Sequence, residues 1–222
     1  MTELISKRTF RALSALLTYP TQKLSAAIPE ITAAISAEGL VSDEAREQLQ
    51  PLLADLGTLD LYDLQERYVE LFDRSRALSL HLFEHVHGES RDRGQAMVDL
   101  AQTYASRGMQ VAQGELPDYL PAFLEFLSLL PRAEAKGLIG ETADILRAVG
   151  DRLADRGSRY ATVFAALLAS GGERGLSKSI AARPVPGEEN SPAAMDRVWM
   201  EEPVTFLDGP QPVKFYAKGA RP

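Results

Sequence analysis

Apolar residues recur along most of this chain three or four positions apart, and no run alternates with period two between turn signals. The pattern predicts an all-α fold, a single compact helical bundle. Arg8 to Thr18 aligns Phe10, Leu13, Leu16 and Leu17, and Tyr19-Pro20 ends that helix because proline disfavours helical geometry in the residue before it. Further helices are expected over Gln22 to Glu38 and Asp43 to Leu56. Asp60 has the character of an N-cap opening a helix to Phe72, with Leu61, Leu64, Tyr68, Leu71 and Phe72 on one side. At about 100° per residue those five share an arc of roughly 100°, while Asp63, Glu66, Glu70 and Asp73 gather opposite.

The pattern continues with a helix from Arg91 to Arg107, placing Met97, Leu100, Ala101 and Tyr104 inward and stopping at Gly108. Leu116 to Leu130 is apolar almost all round, the signature of a helix at the centre of a bundle. Leu138, Thr142, Ile145, Leu146, Val149 and Leu153 mark the next helix. After a break at Gly157, Tyr160, Val163, Phe164, Leu167 and Leu168 mark the last. From residue 171 no helical stripe survives, and seven of the chain's 13 prolines fall there. The expected division is a helical domain over 1–170 and a Pro-rich, mostly irregular C-terminal tail over 171–222. Its candidate anchors are Val198, Trp199 and Met200, then Val204 and Phe206, then Val213, Phe215 and Tyr216.

Composition removes several classes of function. The chain of 222 residues has no cysteine, so there is no disulfide, thiolate metal site or cysteine nucleophile. The longest apolar run, Val163 to Ala169, is far short of the roughly 18 residues that span a bilayer, and the N-terminus lacks a secretory layout. A cytoplasmic protein without direct membrane insertion is expected. The net charge of -7 argues against nucleic acid as a partner and favours basic ones. Residues 1–170 hold 17 basic and 24 acidic side chains, so the body carries all of the acidic surplus.

All three histidines lie in His81-Leu82-Phe83-Glu84-His85-Val86-His87, and His81, Glu84 and His85 spell the H-x-x-E-H zinc-peptidase pattern. On a helix the two histidines would share a face and could bind zinc with Glu84 as base. No third ligand is identifiable, and Gly88 follows too soon for a long zinc helix. The plainer reading has the histidines bonded to backbone or to Glu84; a binding role is a further one. Glu125 interrupts an otherwise apolar helix, where a buried charge needs a partner. Either Arg67, Arg74 or Arg76 pairs with it, or it faces a groove. No nucleotide-binding loop or nucleophilic serine elbow is present.

Three strings carry a resemblance. They are Tyr68-Val69-Glu70-Leu71-Phe72-Asp73, the run SLHLFEHVHGESRDRGQAM from Ser79 to Met97, and ELPDYLPAFLEFLS from Glu115 to Ser128. Together with Leu16-Leu17-Thr18-Tyr19-Pro20 and Glu201 to Phe206, they resemble the NarJ family of assembly chaperones for respiratory nitrate reductase. That family is a branch of the TorD-like chaperones for molybdenum enzymes. TorD-like chaperones usually carry histidine after the Pro-Asp pair, where this chain has Tyr119, a feature of the nitrate-reductase branch.

The resemblance implies a non-enzymatic helical chaperone with no cofactor of its own, a monomer or weak dimer. Its client would be the N-terminal segment of the apo catalytic subunit of nitrate reductase, kept open for molybdenum cofactor insertion and withheld from the membrane. Proteins of molybdenum cofactor biosynthesis are further candidate partners. The competing readings are a chaperone for another molybdenum oxidoreductase and the zinc peptidase. The expected client site combines Tyr68, Glu70, Phe72 and Asp73 with His81, Phe83, His85 and His87 at one end of a groove. Asp118, Tyr119 and Glu125 form its wall.

Overall fold

The computed structural model describes residues 8–86, 91–112 and 114–178. His87 and the expected tail anchors from Val198 to Tyr216 lie outside the described residues. Eight α-helices are described: α1 (Thr9–Leu16), α2 (Gln22–Ala37), α3 (Asp43–Thr58), α4 (Leu61–Tyr68), α5 (Arg91–Ser106), α6 (Leu120–Leu127), α7 (Arg132–Asp155) and α8 (Ala161–Gly171). The described residues contain no β-strand, only one isolated antiparallel bridge between His81 and Tyr119. The all-α expectation holds.

Local chemistry starts these helices where the sequence placed them. The Thr21 and Ser42 hydroxyls accept from the amides of Leu24 and Ala45, and Asp60 accepts from Tyr62 N–H at 2.9 Å. α1 has no cap of its own; the Glu38 carboxylate at the end of α2 takes the Arg8 and Thr9 amides instead, both at 2.9 Å. Gly108 (φ 78°) and Gly157 (φ 66°) take the left-handed conformation that ends a helix cheaply only for glycine.

α1 packs against α2 and α6 and touches α8, while α7 and α8 pair closely and α3 covers α8. Phe10, Leu13, Phe123, Leu124, Leu153, Val163, Phe164 and Leu167 are all buried in one cluster. Close approach shapes the α7–α8 pair: a Cβ at Gly150 would stand 2.9 Å from Phe164 Cβ and 2.4 Å from a Leu176 methyl carbon. Residues 173–178 are irregular and follow α7, with the Ser177 and Lys178 amides bonded to the Asp151 carboxylate at 2.8 and 3.2 Å.

Two elements differ from expectation. The helix expected over Leu116 to Leu130 is reduced to α6, because the preceding Pro117-Asp118 turn bonds to residues 80–83 rather than continuing the helix. Within α6 every residue except Glu125 is buried. The helix expected to reach Phe72 remains α-helical only to Tyr68 and becomes a π-helix over Val69–Asp73, with Arg74 N–H reaching back to Val69 C=O at 3.1 Å. Such wide turns concentrate at functional sites.

Candidate functional site

The histidine segment is a short 3-10 turn (Leu82–Glu84), not an α-helix, so the i, i+4 geometry of a zinc helix does not arise. Its histidines are committed elsewhere. His81 Nδ1 lies 3.1 Å from Asp118 Oδ1, and His85 Nε2 donates to the Ser79 carbonyl at 2.8 Å. The hydrogen bond from His81 Nδ1–H to the Asp118 carboxylate raises the His81 pKa above its ordinary value against the opposing effect of burial. Burial lowers that of His85, partly offset by its bond to Ser79. The zinc-peptidase reading is thereby overturned, and the backbone-bonded reading describes His85.

Asp118 anchors this region. Its side chain is completely buried and also accepts Phe83 N–H at 3.1 Å, while the Arg93 guanidinium of α5 stands 3.8 Å away and 3.4 Å from Glu84. Main-chain bonds from Leu82 N–H to Asp118 C=O (2.9 Å) and from Leu120 N–H to Leu80 C=O (2.7 Å) sew the same two strands of chain together. A buried carboxylate satisfied in this way is structural, and it fixes the residue that follows it.

That residue is Tyr119, half-buried, with its ring 5.4 Å from that of His81 and its hydroxyl 3.4 Å from the Tyr68 hydroxyl. Tyr68 donates to the Leu17 carbonyl at 2.9 Å, and burial holds its pKa far above the usual tyrosine range. Around it the rings of Tyr19 (5.6 Å), Phe72 (4.9 Å) and Tyr160 (6.3 Å) make edge-on or tilted contacts. Such aromatic pairs are worth about 0.5–1.5 kcal/mol each beyond their buried area.

Two surface grooves flank the Thr18–Tyr19 step. The first, of ≈ 280 Å³, is lined by Tyr19, Tyr62, Gln65, Glu66, Val69, Glu70 and Arg74. The second, of ≈ 200 Å³, lies between the α5–α6 loop and α6, with Met109, Val111, Tyr119, Pro121 and Ala122 as apolar lining and Glu115 and Glu125 at its edge. Glu125 is exposed and makes no ion pair among the described residues, so of the two alternatives it faces a groove.

The predicted site residues therefore divide. Tyr68, Phe72, Phe83 and Asp118 are buried and support the surface rather than form it, which corrects their assignment as groove lining. Glu70 lines the first groove, Tyr119 and Glu125 line the second, and Asp73 is exposed beyond the first. His81 and His85 are partly exposed on the loop behind Tyr119. Sequence reasoning missed Tyr19 and Tyr62, which are 45% and 80% exposed. The signal was present: Tyr62 falls at the edge of the acidic side of α4, where an aromatic residue has no reason to sit for packing.

The chain matches the family described as nitrate reductase delta subunit across residues 38–166. It belongs to that family. Similarity is strong to the nitrate reductase molybdenum cofactor assembly chaperone NarJ of Escherichia coli strain K12, 45% identical over 88% of this chain and 83% of that one. NarW of the same strain, described as a candidate chaperone of the same kind, is 46% identical over 71% of each chain. A candidate redox enzyme maturation protein from Archaeoglobus fulgidus shares the fold, with a TM-score of 0.53 at 21% identity over 72% of this chain and 90% of its own. NarJ and NarW are both named as assembly chaperones rather than as enzymes.

Among the described residues no helix is long and apolar enough to cross a membrane.

Proposed function

We propose that this protein is the dedicated assembly chaperone of a respiratory nitrate reductase. It binds the N-terminal segment of the apo catalytic subunit in the cytoplasm. It keeps that subunit open for molybdenum cofactor insertion and delays its attachment to the membrane. The 45% identity to NarJ over most of both chains carries this reading. The grooves on either side of Tyr19 support it, since an amphipathic segment could lay apolar side chains over Tyr19, Val111 and Tyr119 while its cations meet Glu70, Glu115 and Glu125.

The energetics suit a chaperone that must let go. Micromolar affinity corresponds to about -8 kcal/mol, and ordering a flexible segment offsets roughly 2–5 kcal/mol of the contact energy. Calorimetry of the full chain with a synthetic N-terminal peptide of the catalytic subunit tests the proposal. Binding near micromolar is expected, weakened about tenfold or more when Tyr19, Tyr119 and Glu125 are replaced together by alanine. Unchanged affinity would mean that the segment binds elsewhere. Tighter binding of a peptide from a different molybdenum oxidoreductase would reassign the client.

A further inference from the structure

The first groove is an acidic trough edged by two exposed tyrosines, Tyr62 and, packed edge-on against Tyr68, Tyr19. Glu66 and Glu70 line it, Asp63 and Asp73 are exposed on the same helix, and Arg74 is its one lining cation. Tyr62, four-fifths exposed, and Tyr19 offer ring faces that attract cations as well as apolar groups. A segment that fits has aromatic and aliphatic side chains interleaved with lysine or arginine and carries no acid.

Such a segment exists in this chain. Residues 209–222 contain Lys214, Lys218 and Arg221 and no acidic residue, with Val213, Phe215 and Tyr216 between. The seven acids beyond Ser170 all precede it, so the cationic character is concentrated there and not spread over the tail. We infer that Val213 to Arg221 docks in the groove lined by Tyr19, Tyr62, Glu66 and Glu70, acting as an internal placeholder that an incoming client segment displaces.

Reach permits it. Lys178 is held to Asp155 near the end of α7, and the 35 residues from there to Val213 extend to about 115 Å at most. α7, the longest helix described, is only about 36 Å long, so the linker reaches every face of the bundle with slack. Tethering through 35 residues sets an effective concentration on the order of millimolar. A segment with an intrinsic dissociation constant of roughly 0.1–1 mM would then occupy the groove for half the time or more, weakening a competitor about 2- to 10-fold. The competition rests on the client reading above; the docking does not.

Because the chain has no cysteine, Ala217→Cys in the full-length protein gives one site for a nitroxide label. At low ionic strength the label should broaden the amide signals of Tyr62, Glu66 and Glu70 more than those along the exposed faces of α2 and α7. Charge reversal at Lys214, Lys218 and Arg221, or Glu66→Lys with Glu70→Lys, should abolish the effect. Uniform or absent broadening overturns the docking, as does strongest broadening on another face. Broadening between molecules in a mixture of isotope-labelled and spin-labelled chains would assign the groove to a second copy instead. Adding the catalytic-subunit peptide separates the two readings. Release of the tail supports the competition; a bound peptide that leaves the tail in place refutes it; and a peptide that does not bind refutes the client reading while the docking stands.

Discussion

Replacing Asp118 by alanine removes the acceptor of Phe83 N–H and of His81 Nδ1, both at 3.1 Å, from a site without solvent contact. An orphaned buried amide costs about 1–3 kcal/mol, and the part-exposed His81 bond adds about 1 kcal/mol. The expected loss is thus about 2–4 kcal/mol. At roughly 2–4 °C per kcal/mol for a domain of this size, Tm should fall by about 5–15 °C. Asp118→Asn keeps an acceptor facing Phe83 and should cost less than half as much. The main-chain bonds between residues 80–82 and 118–120 remain, so the variant should still fold.

Urea unfolding followed by far-ultraviolet circular dichroism is the suitable assay, because the only tryptophan, Trp199, lies outside the described bundle. Hydrogen exchange supplies a local readout: the Phe83 amide should exchange far faster in Asp118→Ala while amides of α8 follow only the global change. A loss below about 1 kcal/mol, or an unchanged Phe83 amide, would show that Asp118 does not hold the histidine turn.

The two histidines should give opposite pH signatures. His81, whose pKa Asp118 raises, contributes stability that is complete below the ordinary value of 6.5 and is lost as pH rises through its raised value. His85, whose pKa burial lowers, contributes stability present above 6.5 that is lost as pH falls toward its lowered value. His81→Gln should flatten the alkaline side of a plot of urea midpoint against pH and His85→Gln the acid side; the reverse pattern would contradict both assignments. Gly150→Ala should destabilise by about 1–3 kcal/mol despite better helix propensity, since its Cβ would press on Phe164 and Leu176. Gly137→Ala, exposed on α7 with nothing within 4 Å of the new Cβ, should stabilise by about 0.5–1 kcal/mol in the same denaturation assay.

What the sequence revealed was what periodicity and local caps encode. α2, α3 and α5 begin where expected and end within two residues of expectation, and Asp60 caps α4. Asp118 was legible as a motif residue but not as a buried anchor, because its partners Phe83 and His81 lie 35 and 37 positions away. The same distant bonds stop α6 from extending back to Leu116, which propensity could not report. The π-helix at Val69–Asp73 was equally hidden. Its sequence suits an α-helix, and the wider turn accompanies a tertiary contact that periodicity does not report, the Phe72 ring against Tyr68 and Tyr160 at 4.9 and 5.1 Å.

This division between anchors and contacts decides how substitutions in the family strings should be read. Asp118 and Phe83 are buried, so under the proposed function losing either should shift the wall that carries Tyr119 and lower stability and client affinity together. Tyr19, Glu70 and Glu125 lie at the surface, and their removal should alter affinity with little change in unfolding. The distinction can be measured as coupling. If Asp118 acts by placing Tyr119, the effect of Tyr119→Ala on peptide affinity should shrink by at least about 0.5 kcal/mol in an Asp118→Asn background. Additive effects would mean that the two residues serve binding independently and that the buried carboxylate has no part in shaping the groove.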